Sequence, residues 1–195
     1  MNLQSRVINI VSKPKQEWPV IASEAADVAS LYKEYIVPLS AIPAVCSFLG
    51  MTLIGVTIPF VGQFRTPIAS GLAGLVVGYV LSLVGVFLAA FIVDKLAPNF
   101  QSSGGIVQAL KMVAFASTPA WVAGVLQLIP LLGALVWLAV LYGLYLFYLG
   151  LPSVMKTPPD KVIAYMVVSA IVVIVISIVT AGISGVFLGV SRFAF

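Results

Sequence analysis

Long apolar runs alternate with short polar breaks along this chain, and the length of the runs decides what they are. A helix needs about 20 residues to cross the hydrocarbon of a bilayer. Five runs come to about that length or more, residues 36–60, 68–93, 110–128, 131–151 and 162–190. Only Ile129 and Pro130 separate the third from the fourth. A proline there, with Gly133 after it, suits a tight reversal between two spans better than the middle of one helix of about 40 residues; the alternative is a re-entrant hairpin. The pattern therefore predicts an all-α polytopic membrane protein, with residues 1–35 as a short N-terminal segment and 36–195 as a five-span membrane domain.

Residues 1–35 carry a different period. In MNLQSRVINIVS, Leu3, Val7, Ile10 and Val11 share one helical face, with Asn2, Arg6 and Asn9 on the other. Such an amphipathic helix lies either in the headgroup region or on the protein's own cytoplasmic loops. KPKQEWPVIASE follows, with two prolines, and reads as a bent connector in which Trp18 anchors the interface. Ser23 or Asp27 then caps a helix leading into the first span.

Inside the spans, small residues recur every four positions. Ser70, Gly74, Gly78 and Ser82 form one ridge, and Ser177, Ala181, Gly185 and Gly189 another, as helix packing in lipid favours. Pro38 and Pro43 lie early in the first run and Pro59 near its end. Pro119 interrupts the third run and predicts a static kink near Thr118, where Ser117 or Thr118 supplies a partner for the carbonyl that proline frees.

Composition agrees with the membrane class. The chain is 62% hydrophobic and 8% charged, against roughly 45 to 50% and about 25% for a soluble domain. There is no histidine and one cysteine, Cys46, so histidine-based catalysis, Cys/His zinc sites and internal disulfides drop out. No cofactor or metal is expected, and the first 35 residues show no cleavable signal peptide. The net charge of +4 does not call for nucleic acid, because the cations are scattered and serve topology. Arg6, Lys13, Lys15, Lys33, Lys95, Lys111, Lys156 and Lys161 fall on the N-terminal side of the membrane; Arg65 and Arg192 fall on the other. Cytoplasmic loops retain Lys and Arg, so the N-terminus is expected in the cytoplasm and the C-terminus outside.

Charged residues near the span ends, Asp94, Lys95, Lys111, Asp160 and Lys161, suit the cytoplasmic boundary, where long side chains snorkel. Tyrosine 142, tyrosine 145 and tyrosine 148 in LYGLYLFYLGLP pose a sharper question. Counting from the end of the fourth span, Tyr148 and Tyr145 fit an interfacial aromatic belt, whereas Tyr142 lies about 14 Å deep. Its hydroxyl needs a partner, with Ser117, Thr118, Asp94 and the carbonyls loosened by Pro38, Pro43 or Pro119 as candidates. Gly143 and Gly150 lie on an adjacent face for close helix approach. Tyr142, Tyr145, Tyr148, Ser117, Thr118, Pro119, Asp94, Lys111, Asp160 and Lys161 make up the candidate polar seam.

The blocks KPKQEWPVIASE, YIVPLSAIPAVCSFLG, DKLAPNF, QALKMVAFASTPAWVAGVL and LYGLYLFYLGLPSVMKTPPDKVIAY, in that order, resemble the Yip family of Ypt/Rab-interacting membrane proteins, and within it the small bacterial branch. The resemblance implies five helical spans, a cytoplasmic N-terminus and a far-side C-terminus. Eukaryotic members are linked to Rab-type GTPases and membrane traffic, but their DLYGP-type motif is missing here, so GTPase binding is not carried over; Ala164 also stands where the family often has glycine before Tyr165. The expected function is non-enzymatic: organising the inner membrane of a bacterium, or binding membrane or cytoplasmic protein partners, with self-association through a small-residue ridge as a variant. The alternative is a transporter or channel for a small or apolar solute along the polar seam. An enzyme acting on lipid is disfavoured, because no acid/base or nucleophile–base set assembles.

Overall fold

The computed structural model describes residues 2–58 and 62–193, apart from the side chains of Thr57, Ile58, Ser177 and residues 180–193. Two short helices, α1 (Leu3–Ser12) and α2 (Pro14–Ser23), form an N-terminal hairpin. Asn2 caps α1, accepting from the Gln4 N–H. Pro14 opens α2 at the position where its missing N–H would have no helical partner, and Pro19 lies on the exposed side. The stretch expected to be a bent connector is therefore a helix.

Asp27 then starts the first long rod through a reciprocal capping box. The Ser30 N–H donates to its carboxylate at 2.7 Å, and the Asp27 N–H donates to the Ser30 hydroxyl at 3.1 Å. These Ser30 contacts hold the exposed Asp27 carboxyl below the usual carboxylate range. Ser23 is not the cap; its hydroxyl turns back to the Val20 carbonyl. The rod comprises α3 (Val28–Leu31), a π turn, α4 (Val37–Leu49) and a second π turn, 27 residues from Val28 to Ile54. It stops short of the residue 60 expected from apolarity. Gly55, at φ 76°, ends it, and the chain turns into a small antiparallel hairpin, β1 (Val56–Ile58) with β2 (Gly62–Phe64). Pro59 lies outside the described residues.

Helices α5 (Ile68–Leu96) and α6 (Gly105–Ala123) follow, and a 3-10 turn carries α6 to Leu128. The chain breaks at Ile129, and a second 3-10 turn from Pro130 leads into α7 (Val136–Val154). The Ile129–Pro130 reversal thus separates two long apolar helices packed on each other, Gly105–Leu128 and Pro130–Val154. Helix α8 (Val162–Phe193) follows. The ridge at Ser177, Ala181, Gly185 and Gly189 falls on side chains outside the described residues.

Among the described residues four helices are long and apolar enough to cross a membrane, and the first part of α8, Val162–Ile176, is a shorter apolar helix. The chain is an integral, all-α polytopic membrane protein whose only described sheet is the two-stranded hairpin β1–β2. Its burial is ordered as a bilayer requires. The α5 span is the most apolar of the four and is 17% buried, whereas the least apolar, that of α6, is 61% buried. Lipid solvates the apolar faces of α5, while α6 is enclosed by protein and is buried without a break from Ala109 to Ala116. Helices meet where side chains are missing. A Cβ on Gly143 would lie 2.6 Å from the Ala116 carbonyl oxygen of α6, and one on Gly150 would lie 2.7 Å from the Trp18 ring.

Candidate functional site

The N-terminal hairpin lies against α6 and α7, and a cluster of charge and aromatic rings holds it there. Arg6 is buried, not on the exposed polar face that periodicity assigns to it. Its guanidinium donates to Glu17 at 2.5 Å and to Glu24, and its Cζ lies 5.8 Å from the centre of the Phe115 ring. Glu17 is buried like Arg6, while Glu24 is half-exposed. Guanidinium suits this position because one planar fork can engage two carboxylates.

Lys111 completes the cluster from α6. It is 2% exposed, so it does not snorkel to the boundary as its place in the sequence suggests. Its ammonium donates to the Ile21 carbonyl at 2.8 Å and to the Glu24 carbonyl at 2.6 Å. Those carbonyls belong to the end of α2, where helical acceptors run out and the dipole favours a cation. Two cations, Arg6 and Lys111, thus meet two anions, Glu17 and Glu24, and the cluster is neutral as a whole.

Trp18, expected as an exposed interface anchor, is instead fully buried in protein. Its ring meets Phe115 edge-on at 6.3 Å and rests on Gly150, whose missing side chain makes the space. Phe115 in turn packs against Tyr35 at 4.3 Å.

The predicted seam divides. The Tyr142 hydroxyl donates to the Val11 carbonyl at 2.6 Å. Its partner is an acceptor at the end of α1, not any of the membrane-helix groups that depth alone suggested. Thr118 is buried and pairs with the Tyr35 hydroxyl at 2.7 Å. Ser117 and Thr118 bond the Val113 and Ala114 carbonyls, so neither takes up the Phe115 carbonyl that Pro119 deprives of its helical donor. Pro119 itself is buried. Tyr145 and Tyr148 are exposed, as interfacial rings would be; Tyr145 lies 5.8 Å from Tyr142, centre to centre. Asp94 is half-buried near the end of α5. Asp160 and Lys161 pair with each other at 3.8 Å in the α7–α8 connection. These three stand apart from the cluster.

Sequence reasoning missed Arg6, Glu17, Glu24, Tyr35 and Phe115. One signal was available: Glu17 and Glu24 are seven residues apart, two helical turns, and so rise on one side of the segment that follows Arg6. The assembled site binds the chain to itself. No group of three or more potential metal ligands exists among the described residues.

Residues 8–181 match the Yip1 domain. The chain is similar to the Inner membrane protein YohC of Escherichia coli strain K12, at 28% identity over 168 residues, which cover 83% of this chain and 84% of that protein. The protein of the same name in Escherichia coli O6:H1 matches to the same extent. No solved structure matches.

Proposed function

The chain belongs to the Yip1-domain family of membrane proteins, and on that premise we propose that it acts without chemistry of its own, organising the membrane around it and binding a membrane or cytoplasmic protein partner through its docked N-terminal hairpin. One observation carries this reading: the hairpin is latched to the bundle by the buried Lys111 of α6, whose ammonium holds the end of α2, which gives it one fixed placement and turns a fixed surface outward. Ile8, Val11 and Val20 are exposed apolar residues on that surface, where they are available to a partner. A solute path through the seam is not favoured, because Tyr142 and Thr118 are bonded and Trp18 and Phe115 fill the space beside them.

Ile8→Asp changes the outward surface without touching the latch. Quantitative crosslinking in native membranes is expected to show at least fivefold less partner with Ile8→Asp, with insertion and melting temperature unchanged. Deleting residues 1–12 is expected to give the same loss. Crosslink profiles identical in both variants and the parent would remove the reading.

The proposed location is the cytoplasmic (inner) membrane, in keeping with the name of the Escherichia coli relatives. The proposed topology is five spans, α8 being the fifth, with the N-terminus in the cytoplasm and the C-terminus outside. Eight cations against two support it. An impermeant thiol reagent is then expected to label Gln63→Cys from outside the cell and Asn99→Cys only in inverted vesicles. Labelling of both from the same side would overturn this topology.

A further inference from the structure

Among the described residues the ridge Ser70, Gly74, Gly78 and Ser82 is left open at Gly78. Gly71, beside it, touches Phe48, but a Cβ on Gly78 would meet nothing within 4 Å. The ridge instead floors a groove of about 890 Å³ between α4 and α5, partly open to the outside. Exposed Leu72, Val76 and Val80 flank it on α5, so the groove opens among lipid-facing side chains. At its inner end the Tyr79 hydroxyl donates to the Val37 carbonyl at 2.8 Å. Arg65 lines the outer end.

Among the described residues Arg65 has no carboxylate partner. The six acidic residues of the chain, Glu17, Glu24, Asp27, Glu34, Asp94 and Asp160, belong to the opposite end of the helices. Among the described residues the ion pairs are Arg6 with Glu17 and Glu24, and Lys161 with Asp160. From Ser70 to Ser82 the floor rises about 18 Å, close to one leaflet of a hydrocarbon core about 30 Å thick.

We infer that this groove holds one anionic phospholipid of the surrounding bilayer, its phosphate on Arg65 and an acyl chain laid along the glycine ridge. Guanidinium and phosphate are matched in charge and geometry. The glycines let a chain approach the α5 backbone where any larger side chain would occupy its place. The remaining groove walls, Phe48, Met51 and Leu75 among them, supply an apolar contact.

The test uses the full chain in phosphatidylcholine nanodiscs doped with phosphatidylglycerol, transferred to mild detergent and read by native mass spectrometry. The parent is expected to keep one phosphatidylglycerol per chain. Arg65→Gln, at an exposed position, is expected to cut that retention roughly tenfold, which is about 1.4 kcal/mol, and to abolish the preference over phosphatidylcholine. Gly78→Leu, which fills open space, is expected to remove retention of both lipids while leaving the melting temperature and elution volume as in the parent. Equal retention in all three proteins overturns the proposal. So does a crosslink between two copies through Gly78→Cys, which would make a second chain the occupant of the groove.

Discussion

Replacing Arg6 with methionine is expected to lower the stability of the folded protein by about 3 to 5 kcal/mol, the cost of breaking a buried ion pair by removing one partner. The size follows from what is left behind. Glu17 has a side chain only 8% exposed, so without the guanidinium it must stay charged in a poorly solvating site or take up a proton. Glu24 is half-exposed and recovers water, so it adds little. Thermal unfolding in detergent, followed by size-exclusion or scattering, measures the loss. The double variant Arg6→Met, Glu17→Leu is expected to regain most of it, since replacing both members with apolar groups removes the uncompensated charge along with the pair. An unchanged melting temperature in Arg6→Met, or additive losses in the double variant, would show that the pair is not coupled as its geometry requires.

Lys111→Met is expected to cost about 2 to 4 kcal/mol, from two hydrogen bonds in which the donor is charged. Both acceptors are backbone carbonyls at the end of α2. The substitution leaves them without their donor, and it leaves the cluster with one cation against two anions. The effect is therefore local before it is global. Hydrogen exchange of the α2 amides is expected to speed up more than that of α6, as the hairpin detaches before the bundle opens. Uniform acceleration throughout the protein would mean that Lys111 supports the bundle as a whole and not the latch.

How much of this was legible beforehand varies with the kind of signal. The long helices were legible because a bilayer sets a length, and Pro130 marked the reversal between α6 and α7. The end of the first rod was not, since Val56 and Ile58 are as apolar as the helix before them; Gly55 stops it by its backbone conformation. Gly143 and Gly150 were readable as close-contact positions, though not which helix each would meet. The latch was hidden for a plain reason. Periodicity put Arg6 on a polar face, and a polar face is ordinarily a solvated one. Two carboxylates and the α2 terminus bring that face inside, and all of them come from other turns of the chain. Trp18 was misplaced by the same logic, because a tryptophan beside prolines near a span resembles an anchor until Gly150 gives its ring a place to be buried.

By itself, then, the sequence determined the class of the protein, its apolar helices, the reversal at Ile129 and Pro130, and the family resemblance, because these depend on local composition and on the thickness of a bilayer. Only the tertiary structure decided that the N-terminal helices dock on α6 and α7, that Lys111 caps α2, that Tyr142 bonds the end of α1, and that the ridge on α5 floors a groove. Each of those depends on which groups far apart in the chain satisfy one another's charge, hydrogen bonds and volume, and that pairing is settled only when the helices meet.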